Sequence, residues 1–319
     1  MIPVSIYTDK TVGKQTLDLC VMIPYFNPAG YTGAIRRYLS CTESLQRQRV
    51  PYYTVEVALK DREFELEAST NILQLRSADC LWHKEAALNA LLQHIPPHYT
   101  FIAWIDRDVL LLNDDWPHQT TKALERYRAV QLFEHMQDLG PNGEVMQENN
   151  AAMAAYAKGI DLVDVRYPGG AWAMQRSLLE RYGLFDLALV GGGDMLFLQA
   201  CIGFLDMHRL WPAYFNEQIR EHFLYWSKTM HHAVRGVVGN ISGTAQHLWH
   251  GKRTDRYYQK RHILIADLEI TRDLCRNADD LWEWTSSANR QMREAVTRYF
   301  FCRAEGVPTI TPALFKREK

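Results

Sequence analysis

Two hydrophobic periods alternate along the first part of the chain. Short β-rich runs at Leu19–Ile23, Tyr53–Leu59, Asn71–Leu75 and Phe101–Ile105 read as strands, the first ending at Pro24 and the last running straight into Asp106. Between them, Ala34–Gln48 places Ile35, Tyr38, Leu39, Thr42 and Leu45 on one helical stripe. Lys84–Ile95 does the same with Leu88, Leu91, Leu92 and Ile95, and Pro96 and Pro97 stop it. This alternation is the sequence form of an α/β fold, a mainly parallel sheet covered by helices. Past Leu139 the pattern loosens into a turn at Gly140-Pro-Asn-Gly143 and an Ala-rich stretch over 149–158, which predicts a long loop or lid helix. Gly169–Asp194, rich in glycine and aromatic residues, reads as a site rather than core. Asp279–Phe301 predicts one amphipathic helix with Ala288, Met292, Ala295, Val296, Tyr299 and Phe300 on its inner face.

Composition narrows the class. With 36 Lys+Arg against 37 Asp+Glu the net charge is −1, which gives no support to a general nucleic-acid or membrane-surface binder. A 47% hydrophobic content over 319 residues is enough for one large core or two joined halves. No apolar run approaches the roughly 20 residues of a spanning helix, and the first residues lack a signal pattern, so a cytoplasmic protein without a membrane span is expected. The six cysteines are scattered without a Cys-x-x-Cys pair, which points to reduced thiols.

Three segments carry candidate chemistry. Asp106-Arg107-Asp108 closes an apolar strand, and strand period puts both carboxylates on one side, where they can hold a hard divalent ion that itself needs an anionic ligand. Gly191-Gly192-Gly193 permits close backbone approach and leaves Asp194 at the mouth of an apolar helix, as a reactive carboxylate or as a helix cap. In His247-Leu-Trp-His250, either imidazole can complete a metal site, while Lys252, Arg253 and Arg256 suit phosphate oxygens. Trp172, Trp104 and Trp249 offer an aromatic ring face or are plain core. Glu56 and Arg76 stand near the ends of early strands, as site residues or as solvated strand-edge charges.

The order of these segments resembles the GT-A glycosyltransferases, especially family-2-like inverting enzymes and the related galactosyl- and N-acetylgalactosaminyl-transferases. The resemblance spans about residues 18–262. Ile23-Pro24-Tyr25-Phe26-Asn27 is similar to the family's first strand end at the nucleotide site, with one extra residue, and Lys84…Asn89 matches its basic segment loosely. Its Asp-x-Asp maps onto Asp106 and Asp108. Gly169-Gly170-Ala-Trp172-Ala173, the following Gly-x-Phe-Asp and Gly193-Asp194 resemble its later motifs, with Gly193 standing where many members have Glu.

What the resemblance implies is a GT-A (Rossmann-like) fold. It would comprise a glycosyltransferase domain over 1–265, with a nucleotide half to about 135 and an acceptor half beyond, and a C-terminal helical extension over 266–319. It further implies a metal-dependent inverting hexosyl- or N-acetylhexosaminyl-transferase. Asp106, Asp108 and His247 or His250 would hold Mn²⁺ or Mg²⁺, and Asp194 would act as general base. Pro24, Tyr25, Glu56, Arg76, Lys84, Asp106, Gly170, Trp172, Lys252, Arg253 and Arg256 would contact a nucleotide-diphosphate sugar, foremost a UDP-sugar, with a glycan or other hydroxyl as acceptor. Two alternatives stand beside it: a binding protein that kept the fold without turnover, and a transferase acting on a modified nucleic-acid base.

Overall fold

The computed structural model describes residues 17–258, 260–303 and 305, and of Arg253 only the backbone. The opening segment and the end of the C-terminal extension lie outside the described residues. In chain order the elements begin β1 (Leu19–Phe26), α1 (Thr32–Arg47), β2 (Tyr52–Leu59), β3 (Ile72–Ser77), α2 (Lys84–Leu92), β4 (Phe101–Ile105), β5 (Val109–Leu111) and α3 (Trp116–Leu124). There follow β6 (Ala129–Gln131), β7 (His135–Leu139), β8 (Val145–Asn150), α4 (Ala152–Ala157), β9 (Ala171–Gln175), α5 (Arg176–Tyr182) and α6 (Gly193–Ile202). The chain continues with α7 (Met207–Leu210), α8 (Glu217–Val234), β10 (Val238–Asn240), β11 (Thr244–His247), two 3₁₀ turns, α9 (Ile270–Asp273), a hairpin of β12 (Leu274–Arg276) and β13 (Trp282–Trp284), and α10 (Arg290–Phe301).

Seven strands form the central sheet in the order β10-β6-β9-β4-β1-β2-β3, and every pairing is parallel except the two made by β9. The expected α/β class, a mostly parallel sheet flanked by helices, is what the chain adopts. Strand alternation divides the core into two layers. Cys20 and Met22 of β1 face a layer with Leu88 and Leu91 of α2, Phe197 of α6 and Phe223 of α8, whereas Leu19, Val21, Ile23 and Tyr25 face Ala34, Tyr38 and Leu45 of α1 and Trp116 of α3. Because α1 leaves β1 on one face and α2 reaches β4 from the other, the crevice beyond the carboxyl ends of β1 and β4 is a topological switch point, where open α/β sheets bind ligands. A second sheet, β5-β11-β7-β8, stands beside it.

Several expected boundaries shift for physical reasons. β1 runs through Pro24 to Phe26, because its pairing with β4 ends at Met22 and Pro24 has a ladder partner on the β2 side only. The loosely patterned stretch after Leu139 forms β8 and the short α4. The long C-terminal helix starts at Arg290, where the Asn289 side chain caps it by accepting from Met292 N at 3.2 Å, and the preceding Trp282–Trp284 pairs as a strand. The described part of the region beyond 266 is therefore the short α9, a hairpin and α10, and its Leu281, Val296 and Phe300 pack into the same core layer as α2 and α6. Cys20, Cys41, Cys80 and Cys201 are buried, while Cys275 and Cys302 are exposed. Among the described residues no helix is long and apolar enough to cross a membrane.

Candidate active site

A cleft of about 890 Å³ opens at the switch point, running from Pro24, Phe26 and Asn27 at the end of β1 to Trp249, His250 and Glu305. Its geometry is decided where β4 stops. Ile105 is the last residue paired with β9, opposite Ala171, and the Asp106 amide then donates to the Gly170 carbonyl at 2.8 Å. Gly170 has φ +96°, a left-handed conformation that a side chain would strain. Val109 N closes a turn back onto Asp106 O at 3.0 Å, so 106–108 is a turn and not a strand continuation. The two aspartates expected side by side on one ion therefore diverge.

Asp106 turns toward α2. The Lys84 ammonium lies 2.7 Å from Asp106 Oδ1, and 2.9 and 3.1 Å from the two oxygens of Asp194. Burial alone would depress the Lys84 pKa, but Asp106 and Asp194 outweigh it and hold the amine well above its ordinary value. Burial, reinforced by Asp194 and Asp108, raises the Asp106 carboxyl against the pull of Lys84. The neighbouring Glu85 is pushed up to about 8 by burial, with Lys84 opposing and Asp194 adding to the rise, so it is a neutral carboxylic acid at neutral pH. Two glycines make this arrangement possible by lacking side chains. A Cβ at Gly169 would stand 2.4 Å from Asp194 Oδ2, and one at Gly193 would stand 2.1 Å from Glu85 Oε1. The cap of α6 is Gly192, and Asp194 sits inside the first turn with no capping bond. Asn89, five residues along α2, ties the helix to the chain after α5 by exchanging two hydrogen bonds with the Leu184 backbone at 2.9 and 2.8 Å.

Asp108 turns the other way, toward the second sheet. Leu248 N donates to its carbonyl at 2.8 Å, and antiparallel pairing of β5 with β11 sets His247 opposite Val109. His247 Nε2 is 3.8 Å from Asp108 Oδ1 and His250 Nε2 is 3.9 Å from Oδ2, so each imidazole faces one carboxylate oxygen. The three donor atoms lie within 4.8 Å of one another. Parallel pairing of β11 with β7 places Asp138 opposite His247, and its Oδ1 is 3.2 Å from His247 Nδ1 while Oδ2 accepts from Tyr167 OH at 2.7 Å. That contact fixes the ring and leaves Nε2 pointing at Asp108, the carboxylate-backed arrangement of metal-ligating histidines. Burial would lower the His247 pKa, but Asp138 and Asp108 raise it above the usual value; burial and the charge of His247 drive His250 well below. Burial would raise the Asp108 carboxyl, yet His250, His247, Arg107 and Arg37 hold it far below the carboxylate range. One carboxylate and two imidazoles, one of them carboxylate-backed, form a donor set that fits a transition ion; Mg²⁺ prefers oxygen donors.

The structure thus gathers Pro24, Lys84, Asp106, Asp108, Gly170, Asp194, His247, His250, Lys252 and Arg256 around one cleft. It sets others apart. The Tyr25 ring is buried against Tyr38 and its hydroxyl donates to Glu65 at 2.5 Å. Glu56, 2% exposed, accepts the amides of Glu65 and Leu66 at 2.6 and 3.2 Å, so it anchors a loop and is not a solvated strand edge. Arg76 is exposed, donates to the carbonyls of Lys60 and Arg62, and stacks on Phe64. Trp172, expected to offer its ring to a sugar, is fully buried: β9 turns it into the core edge-on to Phe197, and its indole N–H donates to Pro168 O at 2.7 Å. Trp104 is core as well, so of the three expected tryptophans only Trp249, 38% exposed, lines the cleft, together with Trp82 and Trp211. The Arg253 side chain lies outside what is described. Asp138, Arg107, Arg303 and Glu305 line the cleft without having been expected from the sequence; Arg107 had a local signal, standing between the two aspartates, whereas Asp138 meets His247 only through the pairing of β7 with β11.

No family model and no curated protein matches this chain. It is similar to solved structures of low likeness. Glucosyl-3-phosphoglycerate synthase from Mycobacterium tuberculosis, in complex with Mn²⁺, UDP-glucose and phosphoglyceric acid, is 11% identical with a TM-score of 0.39, covering 85% of this chain and 87% of that one. A Drosophila β1,4-galactosyltransferase 7 mutant in complex with manganese, UDP-Gal and xylobiose is 15% identical with a TM-score of 0.36, over 76% and 74%. The 4-diphosphocytidyl-2C-methyl-D-erythritol synthase of Anaerococcus prevotii is 11% identical at 0.36, over 80% and 98%. Likeness this weak assigns neither chemistry nor ligand to the residues above.

Proposed function

We propose that the chain is a metal-dependent inverting glycosyltransferase of the GT-A type. In this reading it moves a hexosyl or N-acetylhexosaminyl group from a nucleotide-diphosphate sugar, foremost a UDP-sugar, to an acceptor hydroxyl. The observation that carries this reading is the meeting, at one switch-point cleft, of a cation-paired aspartate and a separate carboxylate–imidazole donor set. Asp194 accepts the proton of the acceptor hydroxyl as its oxygen attacks the anomeric carbon from the face opposite the diphosphate, whose bond to the sugar breaks. Lys84 aims the Asp194 carboxylate, since both of its oxygens lie on the ammonium. Lys252 and Arg256 meet the negative charge that develops on the departing diphosphate. A divalent transition ion, Mn²⁺ foremost, would be held by Asp108, His247 and His250 and would supply further positive charge there. Trp249 offers the exposed ring for a sugar face.

The test is a thermal-shift series over common nucleotide sugars with Mn²⁺, run on the native chain and on Asp108→Ala. A matching donor should raise the melting temperature of the native chain only when Mn²⁺ is present, because a ligand that binds the folded state stabilises it by mass action. Asp108→Ala melts lower on its own, because it loses the carboxylate that His247, His250, Arg107 and Arg37 surround, and measured against its own ligand-free melting temperature it should lose the Mn²⁺-dependent shift. Donor binding by Asp108→Ala with unchanged Mn²⁺ dependence would sink the ligand assignment.

A further inference from the structure

Next to the metal donors, four guanidinium groups converge on one carboxylate. Arg37 Nη2 and Arg107 Nη2 lie 3.2 and 3.3 Å from Glu305 Oε2; Arg256 Nη2 and Arg303 Nε lie 3.4 and 3.0 Å from Oε1. These arginines are 37, 107, 256 and 303 in the chain, and each is steered here by its own element. Arg37 passes over Gly33 of α1, where a Cβ would stand 2.7 Å from its Nη1. Arg107 leaves the turn between the diverging aspartates, donates to Phe26 O at 2.9 Å and lies 5.5 Å over the Tyr25 ring. Arg256 donates to His250 O at 2.8 Å, and Arg303 lies 5.1 Å over the Trp82 ring.

Among the described residues the cluster is short of acceptors. Within them the buried Nε atoms of Arg37, Arg107 and Arg256 have no hydrogen-bond partner, although buried polar groups are normally satisfied. Burial would raise the Glu305 carboxyl, but Arg303, Arg256, Arg107 and Arg37 hold it below the ordinary range. One carboxylate brings a single charge and two oxygens to four forks built for bidentate recognition of oxyanions. A diphosphate brings more of both.

We propose that this cluster is a binding site for a condensed phosphate and that Glu305 is its internal placeholder, a carboxylate that a bound diphosphate displaces. Arg256 ties the cluster to the backbone of His250, and Arg107, Arg256, Arg303 and Glu305 line the same cleft as the metal donors. That the diphosphate belongs to a sugar donor rests on the proposed function; the anion site itself does not.

The experiment titrates inorganic pyrophosphate by calorimetry into the full chain in EDTA. Glu305→Gln removes the competing charge and should bind pyrophosphate at least about tenfold more tightly than the native chain. Arg303→Gln in the otherwise native chain should bind it severalfold more weakly, a readout that stands even if Glu305→Gln folds poorly. A permanent structural role for Glu305 predicts no gain of affinity, and pyrophosphate binding untouched by both substitutions overturns the proposal. Pyrophosphate carries neither sugar nor base. A chain that binds it in this way but stabilises with no nucleotide sugar defeats the transferase reading alone; a working transferase whose pyrophosphate affinity ignores Glu305→Gln defeats the placeholder alone.

Discussion

At the α2–α6 end of the cleft a single lysine lies among the carboxyl groups of Asp106, Asp194 and Glu85, whereas at the Glu305 end four guanidinium groups share one carboxylate. The two clusters are joined by three consecutive residues. Asp106 goes to the lysine, Arg107 to Glu305, and Asp108 to the histidines. The cleft is therefore divided electrically within one turn of chain, with surplus negative charge on one side and surplus positive charge on the other. Proton acceptance belongs on the first side, where a carboxylate already faces the opening, and phosphate oxygens belong on the second. The same turn that splits the aspartates assigns them different work.

The strongest test of that division is Asp194→Asn, which keeps the shape and removes the proton acceptor. Turnover in a transfer assay should fall by about two to four orders of magnitude with donor affinity nearly unchanged. Near-native turnover would break the comparison, because the negative side would then have no chemical task. Next comes Lys84→Met, which leaves two half-buried carboxylates without their buried cation and should cost about 1–3 kcal/mol in urea unfolding. Arg37→Met removes one of four cations around Glu305 and should cost distinctly less. If Arg37 proves the costlier of the two, the surplus charges have been assigned to the wrong sides.

A smaller effect is expected at the second shell of the histidines. Asp138→Asn should weaken Mn²⁺ binding about ten- to a hundredfold by calorimetry. It should also move the pH dependence. Asp138 and Asp108 raise the His247 pKa against burial, so protons compete with the metal up to a pH above the ordinary imidazole range, and Mn²⁺ affinity climbs as pH rises through that window. With Asn at 138 the climb should begin at lower pH; an unshifted profile would mean that Asp138 does not set the state of His247.

The four strands β1 to β4 and the cleft's first ingredients were legible because they are local, whereas β6, β9 and β10 were not read as strands, and β9 lies in a stretch expected to be site rather than core. β4 runs from Phe101 to Ile105 as its apolar run predicts, and α2 starts at Lys84 as its stripe predicts. Asp194, His247 and His250 follow short distinctive segments. The divergence of Asp106 from Asp108 was not legible, since it depends on where β9, distant in sequence, stops pairing with β4. Trp172 illustrates the same limit. Its motif marks it for a site, but alternation along β9 turns it inward onto Phe197. Of the arginine cluster only Arg256 was legible, in the basic run after His250; Arg37, Arg107 and Arg303 share no period and no segment with it and meet it only through tertiary contact.

The absent side chain at Gly193 has a consequence for which substitutions this chain can accept. Glu85 Oε1 fills the place where a Cβ at 193 would stand, at 2.1 Å, so the acid just ahead of Asp194 comes from α2 instead of from α6. Positions 85 and 193 are thus a mutually exclusive pair. Introducing Glu at 193 alone would force two carboxyl groups into one volume, and shortening Glu85 alone would open a hole beneath the helix start. Only the two exchanges made together return a single acid to that spot, which makes the pair a compensated swap whose members carry little meaning when compared one column at a time.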